Sequence, residues 1–295
     1  MLARRTFLRR AAVLGTAISL PLCVTLVDEE GRDDVEGPLF ARVIGSGEPV
    51  LFLHGLAASG AYWGEAYDSF ADSHRLAFVD LAGFGRSLHL PGPFDLDGQL
   101  ARLAAFRQQR LGTDRVTIVG HSFGALLALL AASRWANVRG VVALSLPALT
   151  GTIDERWRQV EELGVLAALT ADNSGLGKFI CKIQCATRPV ARELAPLFMP
   201  SLPDDVARAT LDHHWRSARG ALEGVVDAEP ARWIAATKAA VVVVQGTHDE
   251  VSSPALVRQV LRGLPVEVRE VEGGHQLPLT NPAVCRAALA SLLGT

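Results

Sequence analysis

A serine near the middle of the chain has the sequence surroundings of a nucleophile. Ser122 lies in the segment Gly-His-Ser-Phe-Gly at residues 120–124, between an apolar run at 116–119 and a second apolar run at 125–132. A G-x-S-x-G segment between a strand and a helix makes a sharp turn that exposes the serine hydroxyl above the edge of a sheet. Glycines two positions before and after the serine avoid steric clashes in this turn. The pattern therefore predicts a nucleophilic serine at the N-terminus of a helix.

Two downstream residues have the types that such a serine needs. A serine hydroxyl is a weak nucleophile near neutral pH, so it requires a base within hydrogen-bond reach and a carboxylate that orients the base. We predict that His275 takes the proton of Ser122 and passes it to the leaving group, and that Asp249 holds the imidazole. Glu250 is the alternative acid, and His248 is the alternative base.

The elements that must position these residues are predicted from the apolar runs. Strands are predicted at residues 39–44, 50–53, 76–79, 116–119, 140–146, 240–244 and 265–271. Ligand sites of parallel sheets collect at the carboxyl ends of the strands. Since Ser122, Asp249 and His275 each follow a predicted strand, we expect them to meet at one edge of the sheet.

The alternation of strands and helices stops between residues 149 and 235. Helical patterns follow one another there, at residues 154–169, 177–186, 191–198 and 203–219. We predict a helical lid at 149–235, inserted into a core that comprises residues 38–148 and 236–295. Such a lid shapes the acyl or leaving-group pocket and excludes water from it.

Cysteine and histidine residues within this lid are not expected to bind a metal. Cys181 and Cys185 are four residues apart, and two ligands without a nearby histidine do not make a zinc site. A disulfide between Cys181 and Cys185 is an alternative if the protein lies outside the cytoplasm, although this bond would strain a continuous helix. For His213 and His214, packing or the lid surface is favoured over the alternative that they face the pocket.

The loops around His54, Asp80, Ser122, Asp249 and His275 resemble those of the α/β-hydrolase superfamily, and the resemblance runs from about residue 38 to the C-terminus. It implies an α/β fold with eight mostly parallel strands, helices on both faces and the lid inserted after strand 6. The triad order of this fold, Ser, Asp and then His, is the order found here. The resemblance also implies an acyl-enzyme mechanism that needs no cofactor and no metal.

The same resemblance assigns the oxyanion-binding groups. Residues 54–60 form a loop rich in small residues that is similar to the oxyanion loop of the superfamily, and the backbone amides of Leu56 and Phe123 are the expected donors. The loss of one such donor costs about 3 kcal/mol in other enzymes, so two preorganised amides lower the barrier by several kcal/mol. His54 is expected to hydrogen-bond under this loop, and Asp80 is expected to fix the loop that follows it.

The first 30 residues have the layout of an export signal. An Arg-Arg-Thr-Phe-Leu start at residues 4–8 resembles a twin-arginine signal, and an apolar stretch at 11–27 precedes acidic residues at 28–30. The stretch is near the lower limit of about 17 residues for spanning a bilayer, so a cleaved signal and a retained anchor are both open. We expect a periplasmic or extracellular protein, with membrane association through this segment if it is retained.

Composition limits the classes of partner. The chain has 295 residues, of which 49% are hydrophobic, and its formal net charge is −2. The absence of a basic surplus argues against a nucleic-acid partner. A small-molecule acyl substrate is the expected partner.

The sequence therefore predicts a serine hydrolase acting on carboxylic esters or related acyl compounds. A C–C bond hydrolase or an acyltransferase would use the same three residues, and one sequence does not separate these reactions. The alternative of another class is a binding protein of this fold without catalytic activity.

Overall fold

The computed structural model describes residues 37–112, 115–163, 171, 175, 177–179, 183, 186–200 and 202–294. Within them, seven strands form one sheet with the order β1-β3-β2-β4-β5-β6-β7. The strands are β1 (Ala41–Ile44), β2 (Glu48–Leu53), β3 (His74–Val79), β4 (Val116–His121), β5 (Val138–Leu144), β6 (Ala240–Gly246) and β7 (Glu267–Val271). Only β1 is antiparallel to its neighbour, β3. The sheet is mostly parallel, as predicted.

The expected count of eight strands is wrong for the described part of the chain, which forms seven. The number eight came from the resemblance, whereas the apolar runs of the sequence predicted seven strands at these places. The remaining long apolar runs among the described residues are helical. The helical segment consequently follows β5, the fifth described strand, and not a sixth one.

Ten helices accompany the sheet in the described residues. They are α1 (Leu96–Phe106), α2 (Phe123–Arg134), α3 (Ile153–Glu162), α4 (Arg188–Phe198), α5 (Asp204–Ala209), α6 (Trp215–Val226), α7 (Pro230–Ala236), α8 (Pro254–Val260), α9 (Leu277–Thr280) and α10 (Pro282–Leu293). A 3₁₀ turn at Gly60–Trp63 also contributes to the site. Helices α3 to α7 lie between β5 and β6.

The two faces of the sheet bury separate apolar clusters. Alternate residues of a strand point to opposite faces. Leu51 and Leu53 of β2 therefore pack with α1 and α2, whereas Val50 and Phe52 pack with α10 on the other face. Helix α2 is buried on all sides from its first residue to Ala132, which explains why its sequence shows no polar face. This packing holds the turn between β4 and α2 rigidly.

Two helical segments are interrupted. Helix α1 is α-helical only to Phe106 and continues as a π-helical turn, Arg107–Leu111. The helix expected at 203–219 is divided into α5 and α6, because His213 between them forms an isolated β-bridge with Phe84. That tertiary contact has no signature in the local sequence.

Some predictions fall on residues outside the described ranges. The expected export signal at 1–30, Cys181, Cys185 and most of residues 164–185 belong to this group. Among the helices that the structure does describe, none is both long enough and apolar enough to cross a bilayer.

Candidate active site

The turn that carries Ser122 has the backbone strain expected of a nucleophile elbow. Ser122 has φ 52° and ψ −119°, between the end of β4 and the start of α2. A Cβ atom at Gly120 would overlap the backbone of Gly124, and one at Gly124 would overlap the carbonyl oxygen of Leu53. Both glycines are therefore required by close backbone approach. The N–H of Ser122 donates to the carbonyl of Leu144 at 2.9 Å, which attaches the turn to the end of β5.

His275 and Asp249 form a hydrogen-bonded pair at the same edge. Nδ1 of His275 lies 3.0 Å from each carboxylate oxygen of Asp249. The Asp249 side chain is fully buried, whereas that of His275 is 14% exposed. The pair thus leaves the second ring nitrogen, Nε2, as the atom available for a proton transfer.

Three further donors hold the Asp249 carboxylate in place. Its Oδ1 accepts the backbone N–H groups of Val251 at 2.9 Å and Ser252 at 2.8 Å, and its Oδ2 accepts Nε2–H of Gln245 at 2.9 Å. A carboxylate with this many donors has one orientation, so it fixes the orientation of the imidazole as well.

The two sequence alternatives for the pair lie elsewhere. Glu250 is exposed to solvent. His248 contacts Thr247 and Glu272, and its side chain is 70% exposed. Neither contacts His275, so the geometry favours Asp249 and His275.

The backbone connects the serine and the histidine without a direct hydrogen bond between their side chains. The carbonyl of Leu144 binds the N–H of Ser122, and the next residue, Ser145, donates its hydroxyl to the carbonyl of His275 at 2.8 Å. His121, which precedes the serine, also binds that carbonyl. No hydrogen bond joins Oγ of Ser122 to His275 within the described residues. Catalytic hydrogen bonds are often long without substrate and shorten only in the substrate complex.

Two backbone amides next to Ser122 are free to bind an oxyanion. Phe123 is the first residue of α2, where an N–H group has no partner within the helix. Within the described part of the chain, neither its N–H nor that of Leu56 donates to a protein acceptor. A Cβ at Gly55 would lie 3.1 Å from Cβ of Ser122, so the Leu56 loop approaches the serine closely. Both predicted donors are near Ser122, which lies at the positive end of a helix dipole.

His54 and Asp80 support the loops, in agreement with their expected structural roles. Nε2 of His54 accepts the N–H of Leu81 at 3.0 Å, and burial lowers the pKa of this histidine. Asp80 accepts the N–H groups of Gly60 at 2.6 Å and Arg86 at 2.7 Å, which joins two loops. None of these hydrogen bonds involves Ser122.

Four polar residues beside the candidate triad were not predicted from the sequence. These are Tyr62, His121, Ser145 and Gln276. The hydroxyl of Tyr62 donates to Oε1 of Gln276 at 2.7 Å, and its ring stacks on that of His121 at 4.8 Å between centroids. A polar residue directly after an apolar strand, as at Ser145, was the one available signal.

Cys285 and the histidines of the segment between β5 and β6 belong to no metal-binding cluster in the described residues. No group of three or more His, Cys, Asp or Glu side chains there has the geometry to hold a metal ion. Cys285 is a free, buried thiol, and burial raises its pKa to about 12. His213 is buried, and its Nδ1 lies 2.8 Å from the carbonyl of Thr210, which agrees with a packing role.

Comparison with known proteins gives matches over most of the chain. The sequence profile described as "Alpha/beta hydrolase family" matches residues 50–288. Lipase LipV of Mycobacterium tuberculosis (strain ATCC 25618 / H37Rv) is 28% identical over 260 residues, which cover 83% of this chain and 93% of LipV. "Probable lysophospholipase BODYGUARD 4" of Arabidopsis thaliana is 27% identical over 196 residues, 60% of this chain and 46% of that protein. The chain thus spans less than half the length of that plant relative.

Solved structures share the fold. The esterase EaEST of Exiguobacterium antarcticum superimposes with a TM-score of 0.68, and the match covers 87% of this chain and 96% of the esterase. At 18% sequence identity, this likeness concerns the architecture and not the substrate.

Proposed function

Since this chain belongs to the alpha/beta hydrolase family, we propose that it is a serine hydrolase that cleaves carboxylic esters or related acyl compounds through an acyl-enzyme intermediate. The observation that carries the proposal is the His275–Asp249 pair at the sheet edge that also holds the strained Ser122 and two free backbone amides. In this family, that combination of groups serves acyl transfer.

The first half of the proposed reaction forms the acyl-enzyme. Oγ of Ser122 attacks the acyl carbon while its proton passes to Nε2 of His275. The carbonyl oxygen becomes an oxyanion, which the N–H groups of Leu56 and Phe123 stabilise. Asp249 stabilises the imidazolium, which then gives its proton to the departing alcohol.

The second half releases the acid. A water molecule transfers a proton to His275 and attacks the acyl carbon, and the bond from that carbon to Oγ of Ser122 breaks. The proton returns to Ser122, so the enzyme is restored and the only products are the acid and the alcohol. No cofactor enters this balance.

The names of the relatives support an ester substrate. They are a lipase and a probable lysophospholipase. An acyltransferase or a C–C bond hydrolase would use the same groups. The proposal that an ester bond is hydrolysed therefore rests on the names of the relatives.

The direct test is labelling by a fluorophosphonate probe, which reacts with activated serines. The wild type is expected to be labelled and Ser122→Ala is not. Ser133→Ala is the matched control, because Ser133 lies at the far end of α2 and donates to Leu130. Labelling that persists in Ser122→Ala would disprove the assignment of the nucleophile.

Turnover of p-nitrophenyl esters of increasing chain length then defines the substrate. Hydrolysis with release of free acid is expected. Transfer of the acyl group to an added alcohol in preference to water would favour the acyltransferase alternative. Labelling of the wild type without turnover of any ester would favour the C–C bond hydrolase.

We also propose that the protein acts outside the cytoplasm, on the basis of the twin-arginine-like start at residues 4–8 and the apolar stretch that follows. Cell fractionation tests this, with Arg4→Lys and Arg5→Lys combined in one variant. Loss of export is expected, and unchanged export would contradict a twin-arginine route.

A further inference from the structure

One buried side chain lies between the loop of the proposed base and the oxyanion loop. His121 is 3% exposed and directly precedes Ser122. Its Nε2 lies 2.9 Å from the carbonyl oxygen of His275, and the two histidine rings are 5.0 Å apart between centroids. On its other side, a Cβ at Gly55 would lie 3.0 Å from its Nδ1. The ring thus contacts both loops at once.

The contacts of His121 determine which ring nitrogen carries the hydrogen. A carbonyl oxygen only accepts, so Nε2 must donate to His275. The hydroxyl of Tyr62, 3.4 Å from Nε2, already donates to Gln276, so it too is an acceptor toward this nitrogen. Nδ1 is buried and has no partner in the described part of the protein. Burial holds the pKa of His121 well below its usual value, and the neighbouring His275 lowers it further, so the ring is neutral.

The carbonyl of His275 receives two donors. Nε2–H of His121 binds it at 2.9 Å and the hydroxyl of Ser145 binds it at 2.8 Å, which uses both of its lone pairs. Asp249 holds the imidazole of the same residue at Nδ1. His275 is therefore fixed through its backbone and through its ring, by groups at or just after the ends of β4, β5 and β6.

We propose that His121 is a positioning residue of the candidate site, whose Nε2–H bond to the His275 carbonyl sets the place of the base relative to Ser122. Because the ring also packs against Gly55, it keeps the oxyanion loop at a fixed position relative to the base. This inference rests on the proposed hydrolase function. It predicts that His121 affects the chemical step and not the binding of substrate.

The experiment compares two substitutions of His121, each of which keeps one of its two properties, the ring or the hydrogen-bond donor. His121→Phe keeps a ring that can stack on Tyr62 but removes the donor. His121→Gln loses the ring, but its amide nitrogen can donate from about the position of Nε2. Turnover of a p-nitrophenyl ester, the rate of fluorophosphonate labelling and the thermal unfolding midpoint are measured for both variants and the wild type.

We expect His121→Phe to lower kcat about 10- to 100-fold with KM within about twofold, since small displacements of a catalytic group have effects of this size. His121→Gln is expected to recover most of kcat even if it unfolds at a lower temperature than His121→Phe. A role as a packing residue predicts the reverse order, because the ring is retained only in His121→Phe. That order, or kcat within twofold of wild type in His121→Phe, would overturn the inference.

Ser145→Ala provides a second variant if His121→Phe does not fold. It removes the other donor to the same carbonyl with a small change in volume, and it is expected to lower kcat about 3- to 10-fold at unchanged KM. An unchanged kcat would show that hydrogen bonds to the His275 carbonyl do not position the base. Failure of the proposed function is distinguishable, because it would appear as a wild type without turnover or labelling.

Discussion

The carboxyl edge of the sheet buries its apolar residues, whereas the helical segment between β5 and β6 exposes several of its own. At the sheet edge the elements around Ser122 are buried, and every residue of α2 from Phe123 to Ala132 is inaccessible to solvent. Large apolar side chains that are exposed in the described residues belong, except for Val251, to the segment between β5 and β6. They are Ile153, Leu163, Phe179, Ile183, Val190, Leu194, Leu197 and Phe198.

Helix α4 shows the contrast most clearly, because its apolar face is the outer one. Val190, Leu194 and Leu197 are exposed, whereas Arg192 on the inner side forms an ion pair with Asp212 at 2.5 Å. Burial of apolar area stabilises the sheet core, and this helix contributes little of it. The difference teaches that the stability of the fold depends mainly on the sheet core, which also holds the proposed catalytic residues, and little on the outer face of α4.

The largest effect that tests this division is expected at Asp249. Asp249→Asn should lower kcat about 1,000- to 10,000-fold, because the amide favours the wrong imidazole tautomer and does not stabilise the imidazolium. Steady-state hydrolysis of a p-nitrophenyl ester measures it. Glu250→Gln is the adjacent control and should stay within about twofold of wild type, since Glu250 is exposed. Equal losses in both variants would show that the carboxylate has been assigned wrongly.

A leucine in α2 measures the contribution of the core to stability. Leu127 is fully buried, so Leu127→Ala removes apolar contacts and leaves a cavity. The free energy of unfolding should fall by about 2–5 kcal/mol, as found for buried leucines in general. Urea unfolding followed by circular dichroism gives the value. A loss below about 1 kcal/mol would mean that α2 is not the rigid support for Ser122 that the packing indicates.

The sheet edge should also respond to pH, because His54 and His121 are both buried there. Burial lowers the pKa of each in the folded protein. Unfolded histidines titrate near pH 6.5, so below about that pH the unfolded state binds protons that the folded state does not. The free energy of unfolding is then fully retained above that pH and decreases below it, by up to about 1.4 kcal/mol per pH unit for each histidine. Urea unfolding between pH 5 and 7.5 measures this slope.

The contribution of His121 to this slope can be isolated. His121→Gln removes one of the two buried histidines whose pKa is lowered, so its slope below about pH 6.5 should be smaller by up to about 1.4 kcal/mol per pH unit. An identical slope in the variant would contradict a buried, neutral His121.

The sequence predicted those residues of the candidate site that follow strands. Ser122, Asp249 and His275 are residue types that suit nucleophilic catalysis, and each follows a strand. The glycines on either side of the serine are required because the backbone approaches other backbone atoms closely there. The sheet followed from apolar runs, since a strand that is buried on both faces is apolar throughout.

The rest depends on contacts between distant segments. Tyr62 meets Gln276 across 214 positions of the chain, and Ser145 meets His275 across 130. No spacing rule connects such residues, so the supporting network around His121 was not predicted. The division of the helix expected at 203–219 has the same origin, because His213 pairs with Phe84 from another loop.

The smallest effect on stability is expected at the outer face of α4, where Leu197→Ala makes the same chemical change as Leu127→Ala. Leu197 is 74% exposed, so the free energy of unfolding should change by no more than about 0.5 kcal/mol. Helix α4 packs on α5, and α5 packs on the turn Gly60–Trp63 beside the proposed base. Any effect of this variant should therefore appear in KM for long-chain p-nitrophenyl esters, with kcat for a short-chain ester unchanged. A destabilisation as large as that of Leu127→Ala would show that α4 is part of the folding core, and the two regions would then not be separable.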